Sequence, residues 1–443
     1  MSHISFDSDG NLHKRQARSV KYRITPFTGK DPKSSDRQLL VNPIDTFSSP
    51  NGWHGQSAVT IGNNVIATEN SANVKGTRAI LNNGQNARGT DDFTFDFAID
   101  DKNQVPLDYT FASITNVFVL TNRFHDLFYR YGFTESAGNF QQNNFGKGGR
   151  DRDPVLAVVH DGSGRNNANF ATPPDGQSGV MKMFVFDRTK PMRDGALENG
   201  IVNHELAHGL SARLTGGKAQ GNCLNSPESG ALGEGWSDAI AMAIEMSSNS
   251  KRTDNVAFGK YVTGNEIKGI RTLPYSTNIK TNPLKFSRGQ QTEQVHTLGE
   301  VWASMLFDMY WNLVDKHGFD PQFATNPKGN GGNNKFLQLL VTGMKTQPCF
   351  PTFVTARNAI LSADRLLFKS ENLCEIWTAF ARRGLGMRAV DDGSFIDDFT
   401  FPEGCEIPEP SNSGPGAMNS SAYQSYALSI VWFLFGAHAL FYL

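Results

Sequence analysis

The sequence predicts an α+β protein of two lobes, a β-rich lobe followed by a mainly helical one. In "FTFDFAID" (93–100), apolar and polar residues alternate with the period of a half-buried strand. The apolar runs "VLAVVH" (155–160) and "VMKMFVF" (180–186) are typical of strands on either side of a loop. From about residue 197 onward the apolar residues recur at helical spacing. We therefore expect the two lobes to meet near residue 197.

The β-rich lobe also contains one long helical pattern, "ITNVFVLTNRFHDLFYRYGF", beginning at Ile114. No internal repeat is evident, and residues 40–110 are strand-like and turn-rich. We divide the chain into a leader or propeptide remnant (1–20), the β-rich lobe (21–196), the helical lobe (197–408) and a spacer with a hydrophobic tail (409–443).

Composition indicates a soluble globular protein, because 38% of the 443 residues are apolar and 19% are charged. The formal net charge is −1 and there is no long basic run. Nucleic-acid binders normally present a concentrated basic face, so we expect no nucleic-acid partner.

The cysteines give no metal-binding pattern. Four are present, at Cys223, Cys349, Cys374 and Cys405, and none forms a C-x-x-C pair. A cysteine zinc site is therefore not expected, and the even number fits either two disulfides or four free thiols.

The two ends of the chain carry possible processing signals. The first residues contain no apolar segment that resembles a secretory signal, and "KRQAR" (14–18) is either a processing site or a solvated stretch. Small residues at 412–414, an 11-residue spacer and the 18 uncharged residues from Tyr426 to Leu443 resemble a signal for glycosylphosphatidylinositol (GPI) attachment. A tail-anchored membrane helix of roughly 27 Å is the alternative. We expect contact with a membrane only through this tail.

The motif "HELAH" offers a metal site. The pattern predicts a helix from Leu197 to Leu214, and residues four apart lie on one helix face. His204 and His208 can therefore hold one Zn²⁺ together, and Glu205, turned away from that face, can reach a water at the metal. The alternative is that all three are solvated helix residues.

A second helix is predicted in "ESGALGEGWSDAIAMAIEM" (228–246), and it offers two carboxylates on one face. Glu234 could be a third metal ligand, and Asp238 could accept the second ring N–H of a ligand histidine. An acidic residue placed near a helix N-terminus for the macrodipole would explain Glu234 alone. It would not explain why Glu234 and Asp238 share a face downstream of the histidine pair.

Several long segments resemble the fungalysin family of secreted fungal metallopeptidases, within the thermolysin-like Glu-zincin group. These are "HELAHGLSARLTGG", "CLNSPESGALGEGWSDAIAM", "QVHTLGEVWASMLFDMYWNLVDKHGF" and "PCFPTFVTARNAILSADRLLF", in the family's order within residues 20–406. The resemblance implies a thermolysin-like two-lobe fold with the active-site helix between the lobes. It also implies secretion and an inhibitory propeptide.

The resemblance implies roles for individual residues. His204, His208 and Glu234 match the zinc ligands, Glu205 the general base and Asp238 the partner of a ligand histidine. His296 matches the histidine that steadies the oxyanion, although it could simply cap the helix of "TLGEVW". Arg271, in "GIR", matches the arginine that holds a substrate carbonyl. Asn169, in "NNANF", lies in the segment that resembles the edge on which the peptide substrate pairs. The family's tyrosine before the third ligand is not found in "NCLNSPESGALG". Tyr275 is a candidate to replace it, at a position that the sequence does not give.

These observations predict a monomeric, extracellular zinc endopeptidase with one Zn²⁺ per chain and with proteins or peptides as substrates. The sequence motifs do not show whether the protein also binds calcium. One alternative is a catalytically silent surface adhesin that retains the fold, against which the intact ligands and Glu205 argue. A zinc hydrolase for other substrates is a second alternative, against which the "NNANF" segment argues.

Overall fold

The structure of the chain is a computed structural model that describes residues 4–6, 12–14, 19–55 and 57–406. All of them belong to one compact unit, Met1–Ile407. The leader expected at 1–20 lies largely outside the described residues. The spacer and tail at 409–443, with the GPI or membrane-anchor assignment, lie wholly outside them. No helix among the described residues combines the length and the apolar character needed to cross a membrane.

The described strands are concentrated in the first half of the chain and the long helices in the second. The strands are β1 (Ile4–Phe6), β2 (Leu12–Lys14), β3 (Lys21–Ile24), β4 (Gln38–Val41), β5 (Val65–Glu69), β6 (Thr94–Phe95), β7 (Val155–Val159), β8 (Ala168–Ala171), β9 (Val180–Met183), β10 (Val185–Phe186) and β11 (Arg193–Asp194). The helices are α1 (Thr77–Asn83), α2 (Thr110–Arg130), α3 (Asn199–Leu214), α4 (Pro227–Glu245), α5 (Lys260–Thr263), α6 (Val295–His317), α7 (Gly332–Thr346), α8 (Phe353–Phe368) and α9 (Leu373–Arg382). The predicted α+β class is confirmed.

The sheet that borders the functional cleft has the strand order β5-β7-β9-β8. The first three strands are parallel, and β8 pairs antiparallel with β9, with Asn169 opposite Lys182. All five residues of β7 are buried, as expected for a parallel strand covered on both faces. Within the described strands β8 forms the edge of this sheet, so one side of its backbone is left for another partner.

Helix α2 connects the β-rich part to the helical part. It contacts the strands β3, β5 and β7 and also helix α3. Phe118 and Phe128 are fully buried in this layer. The helical pattern predicted from Ile114 is confirmed, because an amphipathic segment of this length buries its apolar face between two layers.

Helices α3, α4 and α6 pack closely and form the base of the cleft. The indoles of Trp236 and Trp302 meet edge to face, with ring centroids 5.1 Å apart. A side chain at Gly235 would place its Cβ 2.7 Å from the Gly299 carbonyl, and one at Gly299 would lie 2.6 Å from the Glu234 Cβ. Glycine at both positions therefore allows α4 and α6 to approach closely enough to bring Glu234 next to the start of α6.

The four cysteines form two disulfides, Cys223–Cys349 and Cys374–Cys405. Of the two possibilities that the cysteine count allows, two disulfides or four free thiols, the structure contains the two disulfides. The first bond joins the segment between α3 and α4 to the segment that follows α7, so it ties the cleft wall to the helical core.

Two local expectations from the sequence are wrong. The strand expected in "FTFDFAID" (93–100) is ordered as a strand only at Thr94–Phe95, because β6 pairs with only two residues of β3 and Phe93 turns to φ +59°. Residues 77–83 are helical although the surrounding sequence is strand-like. Ile80 anchors that helix by packing against Leu156 and Val158, so tertiary contact overrides local pattern.

Candidate metal centre and cleft

Helix α3 places two imidazoles together at the floor of a cleft. His204 and His208 lie one turn apart, their ring planes are nearly perpendicular, and their Nε2 atoms are 3.0 Å from each other. The helix starts at Asn199, after a short 3₁₀ turn at Gly195–Leu197 that Asp194 caps by accepting the Ala196 N–H. It ends at Leu214, the expected residue, and starts two residues after the expected Leu197.

Helix α4 contributes a carboxylate to the same point. Glu234 Oε2 lies 3.2 Å from His204 Nε2, and Glu234 Oε1 lies 3.7 Å from His208 Nε2. The helix is held in place at its start by Ser226, which accepts the Ser229 N–H ahead of Pro227. One ligand atom from each of the three residues lies within 4.8 Å of the others. Among the described residues, this is the cluster that could hold a metal ion.

Behind this cluster, Asp238 collects donors from three directions. It accepts from His204 Nδ1 at 2.7 Å and from Arg271 Nε and Nη2 at 2.7 and 2.6 Å. The Tyr275 hydroxyl also donates to it. Because Nδ1 of His204 is engaged by Asp238, only Nε2 of that ring faces the cleft, which is the orientation a metal-binding imidazole needs.

These contacts control the protonation of the buried groups. Burial alone would raise the pKa of Asp238, but Arg271 and His204 hold that pKa far below its usual range. Burial alone would lower the pKa of His204, but Asp238 and Glu234 raise it to about 10. A cation that binds Nε2 of His204 must therefore displace a proton. Burial lowers the pKa of His208 to about 4, so this ring is neutral and can act as a ligand.

Glu205 lies next to the metal cluster and is not part of it. Its side chain is buried, and its Oε2 atom has no hydrogen-bond partner among the described residues. Burial raises the pKa of this carboxyl group to about 7. A carboxylate with a spare acceptor oxygen and a pKa near neutrality suits a general base.

His296 reaches the cluster from the first turn of α6. Its Nε2 lies 3.5 Å from Glu234 Oε1, and its side chain is 44% exposed to the cleft. Burial lowers the pKa of His296. The residue before Val295, Gln294, caps the helix through its side chain. The histidine therefore belongs to the cleft while its neighbour performs the capping.

The cleft has a volume of about 970 Å³ and contains all of the site residues predicted from the sequence except Asp238, which lies behind its wall. Arg271 lines it, although two of its nitrogens are engaged by Asp238. Asn169 is exposed on the edge strand β8, which forms one rim.

Sequence reasoning missed an apolar wall of the cleft and one polar contact. The wall consists of Phe186, Ile201, Phe258 and Ile270. Only Ile201, one turn before His204, could have been found from helix spacing. The missed polar contact is the hydrogen bond from Tyr275 to Asp238, which joins residues 37 positions apart.

Comparisons with known proteins give one family model and several fungal relatives that match most of this chain. The family model described as fungalysin metallopeptidase (M36) matches residues 21–389. An extracellular metalloproteinase, mep, of Aspergillus fumigatus is 45% identical over 375 residues, which cover 83% of this chain and 58% of that protein. Extracellular metalloproteinase 5 of Arthroderma otae is 45% identical over 402 residues, which cover 88% and 62%. The chain spans about three fifths of the length of these relatives.

Among solved structures, the precursor of protealysin, a metalloproteinase from Serratia proteamaculans, matches 75% of this chain and 91% of its own. The TM-score is 0.47 and the sequence identity 15%. The family model covers most of the chain, and the identity to the fungal relatives extends over more than four fifths of it. This chain belongs to the fungalysin metallopeptidase family.

Proposed function

We propose that the chain is a zinc-dependent endopeptidase that hydrolyses peptide bonds of extracellular proteins. The observation that carries this proposal is the convergence of His204, His208 and Glu234 on the floor of a large open cleft. Family membership and the names of the fungal relatives, extracellular metalloproteinases, support both the reaction and the location.

The residues of the cluster fit a zinc ion. Two imidazole nitrogens and a carboxylate are donors that Zn²⁺ prefers. The two Nε2 atoms lie 3.0 Å apart, a separation that without a cation requires them to share a proton. Asp238 fixes the ring of His204 from behind, as the partners of metal-binding histidines do. When bound, the ion would supply Lewis acidity to a water and to the scissile carbonyl.

The surrounding side chains account for the proton transfers and for charge stabilisation. Glu205 accepts the proton of the attacking water at its unpartnered Oε2 and passes it to the leaving amine. His296 donates to the carbonyl oxygen as that oxygen gains negative charge. Arg271 presents its remaining N–H groups to a substrate carbonyl from the cleft wall.

The edge strand β8 supports a peptide as the substrate. Residues 166–170 line the cleft, and the outer side of β8 is unpaired within the described strands. An extended peptide can add to such an edge by main-chain hydrogen bonds, with Asn169 at the rim. The apolar wall of Phe186, Ile201, Phe258 and Ile270 would receive an apolar side chain beside the cut bond.

The test is hydrolysis of casein by the purified chain before and after treatment with a zinc chelator. We expect cleavage that the chelator abolishes and that added Zn²⁺ restores, while added Mg²⁺ does not. Cleavage that survives complete removal of the metal would contradict the proposal. Stoichiometric zinc without hydrolysis of any peptide would instead favour the silent adhesin.

We also propose that a GPI anchor attaches the protein to the cell surface. The small residues, spacer and apolar tail within residues 412–443 support this proposal. We expect a phosphatidylinositol-specific phospholipase to release the protein from cells. A cell-bound form that retains residues 426–443 would contradict it and favour a membrane helix. Inhibition by a propeptide and a monomeric state remain predictions.

A further inference from the structure

The start of helix α6 contains a hydrogen-bond chain that leads into the cleft. The side-chain Oε1 of Gln294 accepts the backbone N–H of Thr297 at 2.5 Å. The Nε2 of the same amide lies 3.0 Å from Nδ1 of His296. On the other side of that ring, Nε2 points to Glu234 Oε1 at 3.5 Å. A single glutamine thus joins the helix cap to a ring that lines the cleft.

The capping contact decides which way the amide faces. A primary amide has one acceptor oxygen and one donor nitrogen. The Thr297 N–H is a donor and needs the oxygen, so the nitrogen must face His296. The reversed amide would set its NH₂ group against the Thr297 N–H, and two donors would then meet at a helix N-terminus with no acceptor between them.

The amide orientation in turn decides the proton of the imidazole. An amide nitrogen can only donate, so Nδ1 of His296 must offer its lone pair. A neutral imidazole carries one proton, and it is then on Nε2, the atom directed into the cleft. That N–H is the donor a carbonyl oxygen needs when it becomes negatively charged.

We propose that Gln294 is a positioning residue that holds the proton of His296 on Nε2, where the ring can donate to the reacting oxygen. This inference rests on the proposed function for its catalytic consequence. The hydrogen-bond chain itself is independent of any activity. In this role Gln294 acts through His296, and the side-chain contacts that carry it are those to Thr297 and His296.

The decisive variant is Gln294→Glu. A glutamate at this position can still accept the Thr297 N–H, so the helix keeps its cap. Its second oxygen would face Nδ1 of His296 as an acceptor and would draw the proton to that atom. The matched control is Gln291→Glu, which adds the same charge three residues earlier, where the side chain contacts Arg288 and does not line the cleft.

The first readout is long-range ¹⁵N–¹H NMR of the zinc-loaded full chain, at a pH where the His296 ring is neutral, with His296→Ala for assignment. We expect a protonated Nε2 and an unprotonated Nδ1 in the wild type and in Gln291→Glu. We expect the proton to move to Nδ1 in Gln294→Glu. A wild-type ring with its proton on Nδ1, or a proton that stays on Nε2 in Gln294→Glu, would overturn the proposal.

The second readout is kinetic. At a pH where the His296 ring is neutral in both proteins, Gln294→Glu should lower kcat about tenfold and leave KM within about twofold, because the donor acts on charge that develops in the transition state. In a His296→Ala background the same substitution should change kcat less than about twofold. An equal loss in both backgrounds would show that Gln294 does not act through His296. A chain without peptidase activity would contradict the proposed function, and the NMR result would still decide the role of Gln294.

Discussion

The histidines of the cleft and of the β-rich core differ in what their ring nitrogens contact. In the core, His54 has the Tyr22 hydroxyl at Nε2 and the Val59 carbonyl at Nδ1, and its ring stacks on Phe95 and Phe118. In the cleft, Nε2 of His204 and Nε2 of His208 face each other and a carboxylate. The core ring is satisfied by the protein, whereas the cleft rings are arranged around a shared point.

The carboxylates show the same difference. Asp194, in the core, accepts from Ser113, His160 and the Ala196 N–H, and it is completely buried. Glu205 is almost as buried, yet one of its oxygens has no partner among the described residues. Buried polar groups normally find partners because an unmade hydrogen bond costs about 1–3 kcal/mol. Glu205 differs from other buried polar groups because it lines the cleft, where a water or a substrate can reach its free oxygen.

The largest effect expected from this comparison is that of Glu205→Gln. The amide keeps the shape of the side chain but cannot take a proton, so hydrolysis of casein should fall at least about 10³-fold while zinc content stays unchanged. The unfolding temperature of the metal-free chain should stay the same or rise, because a buried carboxylate becomes neutral. A variant that cleaves casein at a rate near that of the wild type would contradict the role of Glu205 as the general base.

His296→Ala should have the next largest effect. Loss of one donor to the developing oxyanion lowers kcat by about 10²–10³-fold. KM should change little, because the ground-state carbonyl carries little charge. Steady-state kinetics on a short peptide measure both constants. A large rise in KM with an unchanged kcat would instead assign His296 to ordinary substrate binding.

The core histidine predicts a pH effect on stability. Burial lowers the pKa of His54 to about 4, below the value of about 6.5 of an unfolded chain. The folded state binds this proton less readily, so stability is complete above pH 6.5 and is lost as the pH falls towards 4. The loss amounts to about 3 kcal/mol at most. Urea unfolding of the wild type and of His54→Gln between pH 4 and 7 should show a shallower slope for the variant, and equal slopes would refute the assignment.

A smaller effect is expected for Tyr275→Phe. The lost hydroxyl is one of the donors that hold Asp238 against His204, so zinc affinity should fall about tenfold. Tyr310→Phe is the matched control, because the Tyr310 hydroxyl is buried without a partner among the described residues. Competition with a chromogenic chelator measures both affinities. Equal affinities in the two variants would show that Tyr275 does not support the metal centre.

Sequence periodicity could predict contacts within one helix and not contacts between elements. The spacing of His204 and His208, and of Glu234 and Asp238, follows from a helical turn and agrees with the structure. His296 and Arg271 came from the resemblance alone, because neither lies in a periodic relation to the motif. The contacts of Tyr275 and the pairing of Cys223 with Cys349 depend on how distant segments pack. Four cysteines permit three pairings, and no spacing rule chooses between them.

The most direct test of the proposed zinc site is the metal content of the purified chain. The wild-type chain and Glu234→Gln would be purified side by side and analysed for bound metals by mass spectrometry, with Glu228→Gln as the control. Glu228 lies near the start of the same helix and accepts the Phe353 N–H, away from the cluster. We expect one zinc per chain in the wild type and in the control, and a strong loss in Glu234→Gln. Zinc that is absent from the wild type, or retained in full by Glu234→Gln, would contradict the account.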